Sequence, residues 1–133
     1  MGEGQSQMLM QPTPRPIRFV KYAIPARSPD LLRRPRLLDF LHENLHRKLI
    51  LVAAAAGYGK TSLLADFAHD LDSPVAWCRL DDTDRDLSAL VVDVVNALQQ
   101  AFPAFQSALP SLLAEVRGSP EQLASMLARE IES

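Results

Sequence analysis

The sequence predicts an α/β fold, a parallel βαβ core with flanking helices, on three observations. An apolar run, Lys48 to Ala53, reads as a buried strand that leads into a glycine-containing loop. Directly after the loop, Leu63, Leu64, Phe67 and Leu71 fall on one helical stripe, which predicts a helix over Lys60 to Leu71. Beyond a Ser73-Pro74 turn, Val75-Ala76-Trp77-Cys78-Arg79-Leu80 reads as a second strand. Strand, helix and strand joined by short links favour parallel pairing with a right-handed crossover.

The loop carries the chemistry. From Ala54 to Thr61 the chain fits the spacing G-x-x-x-x-G-K-[ST], with Ala54 in place of the first glycine. In this arrangement a strand delivers the chain to a tight loop whose backbone N–H groups converge on a phosphate. The N-terminus of the next helix adds partial positive charge at the same point. Gly57 and Gly59 let the backbone wrap an anion without Cβ clashes. Lys60 is placed to reach the β- and γ-phosphates and the Thr61 hydroxyl to ligate Mg²⁺. The fold expectation is therefore an incomplete P-loop NTPase domain over residues 18–133, preceded by a disordered tail, 1–17, that is rich in Gln, Gly, Pro and Met.

The remaining elements follow from periodicity and punctuation. Arg18 to Asp30 reads as extended, interrupted by Pro25 and Pro29. Leu37, Leu38, Leu41 and Leu45 predict a short helix ending near His46 and beginning near Pro35 or Arg36. Asp81 to Asp86 is an acidic loop from which Asp84 or Asp86 can cap a helix over Leu87 to Phe102. A weak helix is expected over Pro110 to Val116. A stronger one starts at Ser119-Pro120-Glu121-Gln122, with Ser as cap, Pro at the first position and Gln at the third; Leu123, Met126, Leu127 and Ile131 form its stripe.

Composition narrows the classes. A chain of 133 residues with 47% apolar content suits one domain with a core. A net charge of −2 argues against a nucleic-acid binder, although nine of the fourteen Lys and Arg lie between Arg15 and Lys48. Cys78 is alone, which excludes a disulfide framework and a Cys metal site. His42, His46 and His69 show no third-ligand pattern. The longest apolar run falls far short of a membrane span and no signal design opens the chain, so a cytoplasmic protein with no membrane partner is expected.

Hydrolysis would also need an acid at the end of a neighbouring strand, to organise the metal shell and the attacking water. The candidates are Asp81 and Asp82, and a capping role suits them at least as well. Three functions stay open on the residues alone. One is a nucleotide-binding segment, the second a small P-loop phosphotransferase in which Asp81 and Asp82 contact an acceptor, and the third a non-catalytic interaction or remnant module.

Four stretches together resemble a known family: Pro25-Ala26-Arg27 with Leu31 to Leu38; Lys48 to Val52; Ala56-Gly57-Tyr58-Gly59-Lys60-Thr61; and Trp77-Cys78-Arg79-Leu80-Asp81-Asp82-Thr83-Asp84. They are similar to the start of the nucleotide-binding domain of LuxR-type, maltose-activator-like signal-transduction ATPases of the STAND class. The resemblance covers roughly Tyr22 to Phe102 and rests mainly on the G-Y-G-K-T loop and the Trp77-to-Asp84 run. It implies ATP or ADP with Mg²⁺ as cofactors. Ala54, Ala55, Ala56, Gly57, Tyr58, Gly59, Lys60, Thr61 and Ser62 would form the phosphate site, Thr61 would be the metal ligand, and Leu32 to Arg36 would lie near the adenine. Ala55 stands where the family has Pro, and Ser62 where a second Thr is common. Family members continue into a Walker B strand, a sensor region and a DNA-binding helix-turn-helix. The resemblance therefore implies a chain truncated before Walker B that binds no DNA directly, hydrolyses ATP poorly alone, and self-associates or pairs with a separately encoded remainder.

Overall fold

The computed structural model of the protein describes residues 21–113, 115 and 118–133. The expected tail, 1–17, the first three residues of the Arg18-to-Asp30 stretch, and Ala114, Val116 and Arg117 lie outside the described residues. The elements in order are α1 (Pro35–Glu43), α2 (Lys60–Asp70), a 3₁₀ helix (Asp82–Arg85), α3 (Leu87–Ala101), α4 (Leu109–Leu112) and α5 (Pro120–Glu132).

The expected α/β fold, an incomplete P-loop NTPase with a parallel βαβ core, is not what forms: among the described residues there are helices and no strand. Residues 48–53 and 75–80 lack the ladder that defines a strand. A strand exists only where neighbouring backbones exchange N–H···O=C bonds. Here Arg79 N–H donates to the Lys21 carbonyl at 2.9 Å, and the two segments do not pair with each other. The two-residue alternation read from the sequence is nevertheless real. Ile50 and Val52 pack against Leu38, Leu41 and Leu63, while Leu49 and Leu51 are 80% and 83% exposed. An apolar run in period two thus reports one packed face, and pairing is a separate requirement that is not met among the described residues.

The longer helices fall within three residues of the predicted spans, while α4 ends at Leu112, four residues before the expected Val116. α1 has Pro35 at its first position, where the missing N–H costs nothing, and buries Leu38 and Leu41. It ends at Glu43, so Leu45 lies outside it, and both Leu37 and Leu45 are exposed. Asp86 caps α3, its carboxylate accepting the Ala89 N–H at 3.3 Å. Ser119 and Gln122 form the reciprocal capping box that starts α5. The acidic loop is ordered by a similar box. Asp81 accepts the Thr83 N–H at 2.8 Å, and Asp84 reaches back to the Asp81 N–H at 2.6 Å.

Two apolar clusters result. The first joins Leu38 and Leu41 of α1 to Leu63 of α2, with Ile50, Val52 and Phe67 packed around them. His42 meets Phe67 edge-on, ring centroids 4.8 Å apart. The second joins Val91 and Val95 of α3, Leu109 of α4 and Leu123 of α5, with Phe105 and Met126 at its margin. Beside it, Ser107 hydroxyl donates to the Glu130 carboxylate, pinning the loop before α4 onto α5.

A polar network ties the chain near Lys21 to the 3₁₀ helix and α3. Lys21 Nζ lies 2.9 Å from both Asp84 oxygens, 2.6 Å from Asp93 Oδ2 and 3.5 Å from Asp81 Oδ2. Tyr22 hydroxyl donates to Asp93 and accepts from Asn96 Nδ2 at 3.2 Å. Hydrogen bonds donated to Asp84 and Asp93 hold the Lys21 ammonium well above its ordinary range. Desolvation pushes the Asp93 carboxyl up, but the Lys21 and Tyr22 hydrogen bonds outweigh it and the net direction is down. Asp81 is lowered by its bonds from the Thr83 hydroxyl and N–H.

Two outcomes are expected. Leu109→Ala, at a side chain with no exposure, should lower unfolding free energy by about 2–4 kcal/mol in denaturant titration. The depressed carboxyls set the pH dependence. Their contribution is fully present above the ordinary carboxyl pKa of 3.8 and is lost as pH falls through the lower folded values. The raised Lys21 contributes up to its ordinary pKa of 10.5 and loses its effect only above that. Melting temperature measured across pH should therefore be insensitive to these groups between about pH 5 and 9 and drop below about pH 4.

Candidate functional site

The loop from Ala54 to Lys60 has the conformation its glycines permit. Gly57 and Gly59 have φ of +86° and +73°, and they are the described residues with positive φ. Gly59 sits in the left-handed region as the cap residue of α2, so the chain leaves the loop and enters the helix within one residue. Leu63 N–H donates to Gly59 carbonyl at 3.0 Å, closing the first helical turn. The N–H groups of Lys60, Thr61 and Ser62 precede any carbonyl four residues back within the helix, so α2 presents free donors at its start. Tyr58 N–H turns back to Ala55 carbonyl at 3.4 Å.

Side chains around the loop are arranged as follows. Lys60 Nζ donates to the Ala54 carbonyl, spanning the loop from its last residue to its first. Thr61 and Ser62 are exposed on the first turn of α2, and Tyr58 is exposed at the tip. Arg34, the residue before α1, donates from Nη1 to Tyr58 carbonyl at 3.1 Å and from Nη2 to Gly59 carbonyl at 2.7 Å. A cleft of about 370 Å³ beside the loop is lined by Arg34, Val52, Ala53, Ala54, Tyr58 and Lys60. A larger cleft of about 850 Å³, lined by Pro25, Leu64, Trp77 and Cys78, has Thr61 in its wall. Burial pushes the Cys78 thiol up from its ordinary range.

The segment that carries Arg34 is fixed to α2 by charge. Asp66 is 2% exposed in the middle of that helix. Arg33 Nε donates to its Oδ2 at 3.2 Å, and Arg27 Nε stands 2.8 Å from its Oδ1, off the hydrogen-bond direction. One turn on, Asp70 accepts from Arg27 at 2.6 Å and from Arg33 at 2.7 Å. His69 Nε2 donates to the Pro25 carbonyl at 2.8 Å. Desolvation alone pushes the Asp70 carboxyl up, yet the Arg27 hydrogen bond and the charges of both arginines lower it on balance. Sequence reading missed this lattice. Its one available signal was a pair of aspartates four apart on a helix following a run of arginines.

The two candidate catalytic acids do not join the loop. Asp81 caps the 3₁₀ helix and faces Lys21, in a cleft with Thr83, Asp86, Ser88 and Asp93 that is distinct from the one Thr61 lines. Asp82 is exposed and pairs with Arg85 at 3.4 Å. Among the described residues no group of three His, Cys, Asp or Glu could hold a metal ion, and no helix is long and apolar enough to cross a membrane.

Sequence comparison adds ancestry. The chain is 37% identical over 81 residues to the HTH-type transcriptional regulator MalT of Vibrio campbellii, which covers 61% of this chain and 9% of that one. It is 33% identical over 108 residues to MalT of Vibrio cholerae, covering 72% of this chain and 12% of that one. This chain is a relative of the MalT-type regulators. It is also 30% identical over 107 residues to the serine/threonine-protein kinase PknK of Mycobacterium tuberculosis, covering 78% of this chain and 10% of that one. The chain thus spans about a tenth of the length of each relative. No family model and no solved structure matches it.

The glycines give a test of the loop geometry. A Cβ at Gly57 would meet nothing within 4 Å, whereas one at Gly59 would stand 2.7 Å from Arg34 Nη2. Alanine at φ near +80° costs about 1–2 kcal/mol, against about 0.4–1 kcal/mol gained from a stiffer unfolded chain, so strain wins at both sites. Gly57→Ala should therefore lower stability slightly in thermal melts. Gly59→Ala should lower it more, because it also displaces the Arg34 guanidinium.

Proposed function

We propose that residues 54–62 bind the phosphates of ATP or ADP together with Mg²⁺, and that the chain is a nucleotide-binding segment of a MalT-type, STAND-class transcriptional regulator. The observation that carries this reading is the loop itself. Two left-handed glycines lead into the start of α2, where free N–H donors, Lys60 and the exposed Thr61 hydroxyl come within three residues. The relationship to MalT supports the regulator context.

The residues fit such a ligand chemically. Backbone amides at the start of α2 supply oriented donors, and the helix dipole favours negative charge there. Lys60 supplies a full positive charge to the bridging and terminal oxygens, exchanging its bond to the Ala54 carbonyl for one to phosphate. The Thr61 hydroxyl would be the ligand for Mg²⁺, which bound there would neutralise phosphate charge. Binding is favoured over turnover because Asp81 and Asp82 are engaged away from the loop by Thr83, Lys21 and Arg85. The same engagement weighs against the small-phosphotransferase reading. In a nucleotide-responsive regulator the ligand would act by shifting the population of conformations rather than by rapid hydrolysis.

Calorimetric titration with ATP and ADP, with and without Mg²⁺, tests the reading. Micromolar binding is expected, weakened at least about tenfold by Lys60→Ala with little change in melting temperature. Thr61→Ala should remove the gain in affinity that Mg²⁺ provides. A folded chain that takes up neither nucleotide would refute the proposal.

A further inference from the structure

We infer that Arg34 is a positioning residue of the loop: it aims the amide N–H groups of Gly59 and Lys60 by holding the carbonyls across the same peptide planes. The inference rests on the nucleotide reading above. A trans peptide is planar, so the carbonyl of one residue and the N–H of the next point in opposite directions. Arg34 Nη1 and Nη2 hold the Tyr58 and Gly59 carbonyls at 3.1 and 2.7 Å. Fixing those two carbonyls fixes the Gly59 and Lys60 N–H groups on the opposite side, away from the guanidinium. Those are the donors at the junction of loop and helix.

Three features make this a built contact. First, Arg34 is itself held from both sides. Its carbonyl accepts the Leu37 and Leu38 N–H groups at 3.1 Å each, and Pro35 fixes the backbone that follows. Arg33, immediately before it, is bound to Asp66 and Asp70 of α2. Second, the Gly59 carbonyl also takes the Leu63 N–H, so one guanidinium braces both the loop and the first helical turn. Third, the fork geometry matters, because two carbonyls on successive residues need two donors in one plane. Lysine offers a single point charge and cannot span them. A hydrogen bond accepted by a carbonyl also polarises its amide, which strengthens the N–H on the far side as a donor.

The inference assigns Arg34 to the backbone rather than to the ligand, and that can be separated experimentally. Wild type, Arg34→Ala, Arg34→Lys and Lys60→Ala would be titrated with ADP and ATP by calorimetry. Amide ¹⁵N spectra of each would be recorded without nucleotide. Arg34→Ala should weaken ADP and ATP by a similar factor, about 10- to 100-fold. In the same variant the Gly59 and Lys60 amide resonances should shift or broaden, while those of Val91, Val95 and Leu123 stay in place. Arg34→Lys should recover only part of both effects. Lys60→Ala should lose affinity with the Gly59 amide unmoved. If Arg34→Ala binds both nucleotides as wild type does, the inference fails and the nucleotide reading stands. If folded wild type binds neither, both fail. If Arg34→Ala loses the α1 and α2 resonances altogether, Arg34→Lys carries the same comparison. Unchanged affinity with unmoved Gly59 and Lys60 amides in that variant overturns the inference.

Discussion

The carboxylate of Asp66 organises the N-terminal half of this protein. It is buried in α2, in a position the helical stripe would otherwise give to an apolar residue, and a buried carboxylate is tolerable only when paired. The pairing comes from Arg27 and Arg33, which also share Asp70. Both guanidiniums are about half exposed, so each pair taken singly is closer in worth to a surface ion pair than to a fully buried one. What the lattice provides is placement. The segment between Arg27 and Arg33 has no regular structure beyond a turn at Pro29–Asp30, and these contacts lay it along α2. That in turn delivers Pro35 to start α1 and puts Arg34 against the loop. Among the described residues no strand carries the loop, and it is charge that holds the segment bracing it.

The helices were legible in the sequence because their signals are local. Pro35, Asp86 and the Ser119–Gln122 box each satisfy end groups within a few residues, so the spans they mark survive whatever the rest of the chain does. The expected βαβ sheet does not form among the described residues, because strand identity depends on a partner that periodicity cannot name. Residues 48–53 carry a strand's alternation and bury one face on α1 and α2, yet they form no ladder among the described residues. The acidic loop, Asp81 to Asp86, is ordered by its own carboxylates, and Asp81 takes the capping role that the sequence allowed it.

For the candidate site, the sequence singled out the glycines, Lys60 and Thr61, and the positive φ at Gly57 and Gly59 shows why glycine stands at those two positions. The support around the loop was hidden. Nothing in the pattern Arg33-Arg34-Pro35-Arg36 separates the arginine that grips a helix from the one that grips a carbonyl pair. That distinction depends on where α2 lies relative to α1, which is a tertiary fact. The setting of Asp81 was hidden for a related reason, since Lys21, more than sixty residues away in sequence from Asp84, claims the cluster of Asp81, Asp84 and Asp93.

The separation of the two apolar clusters has a consequence for how the molecule loosens. Leu38, Leu41 and Leu63 share no buried neighbour with Val91, Val95, Leu109 and Leu123. Opening one cluster therefore need not expose the other. The glycine loop before α2 borders the first, where α1 and α2 share a small apolar contact and screened charges tie the segment before α1 to α2. A ligand that bridges the loop to the start of α2 would act as an added strut within that half alone. Its effect on protection from solvent exchange would fade towards α3 and α5, so the molecule would respond as two cooperative units.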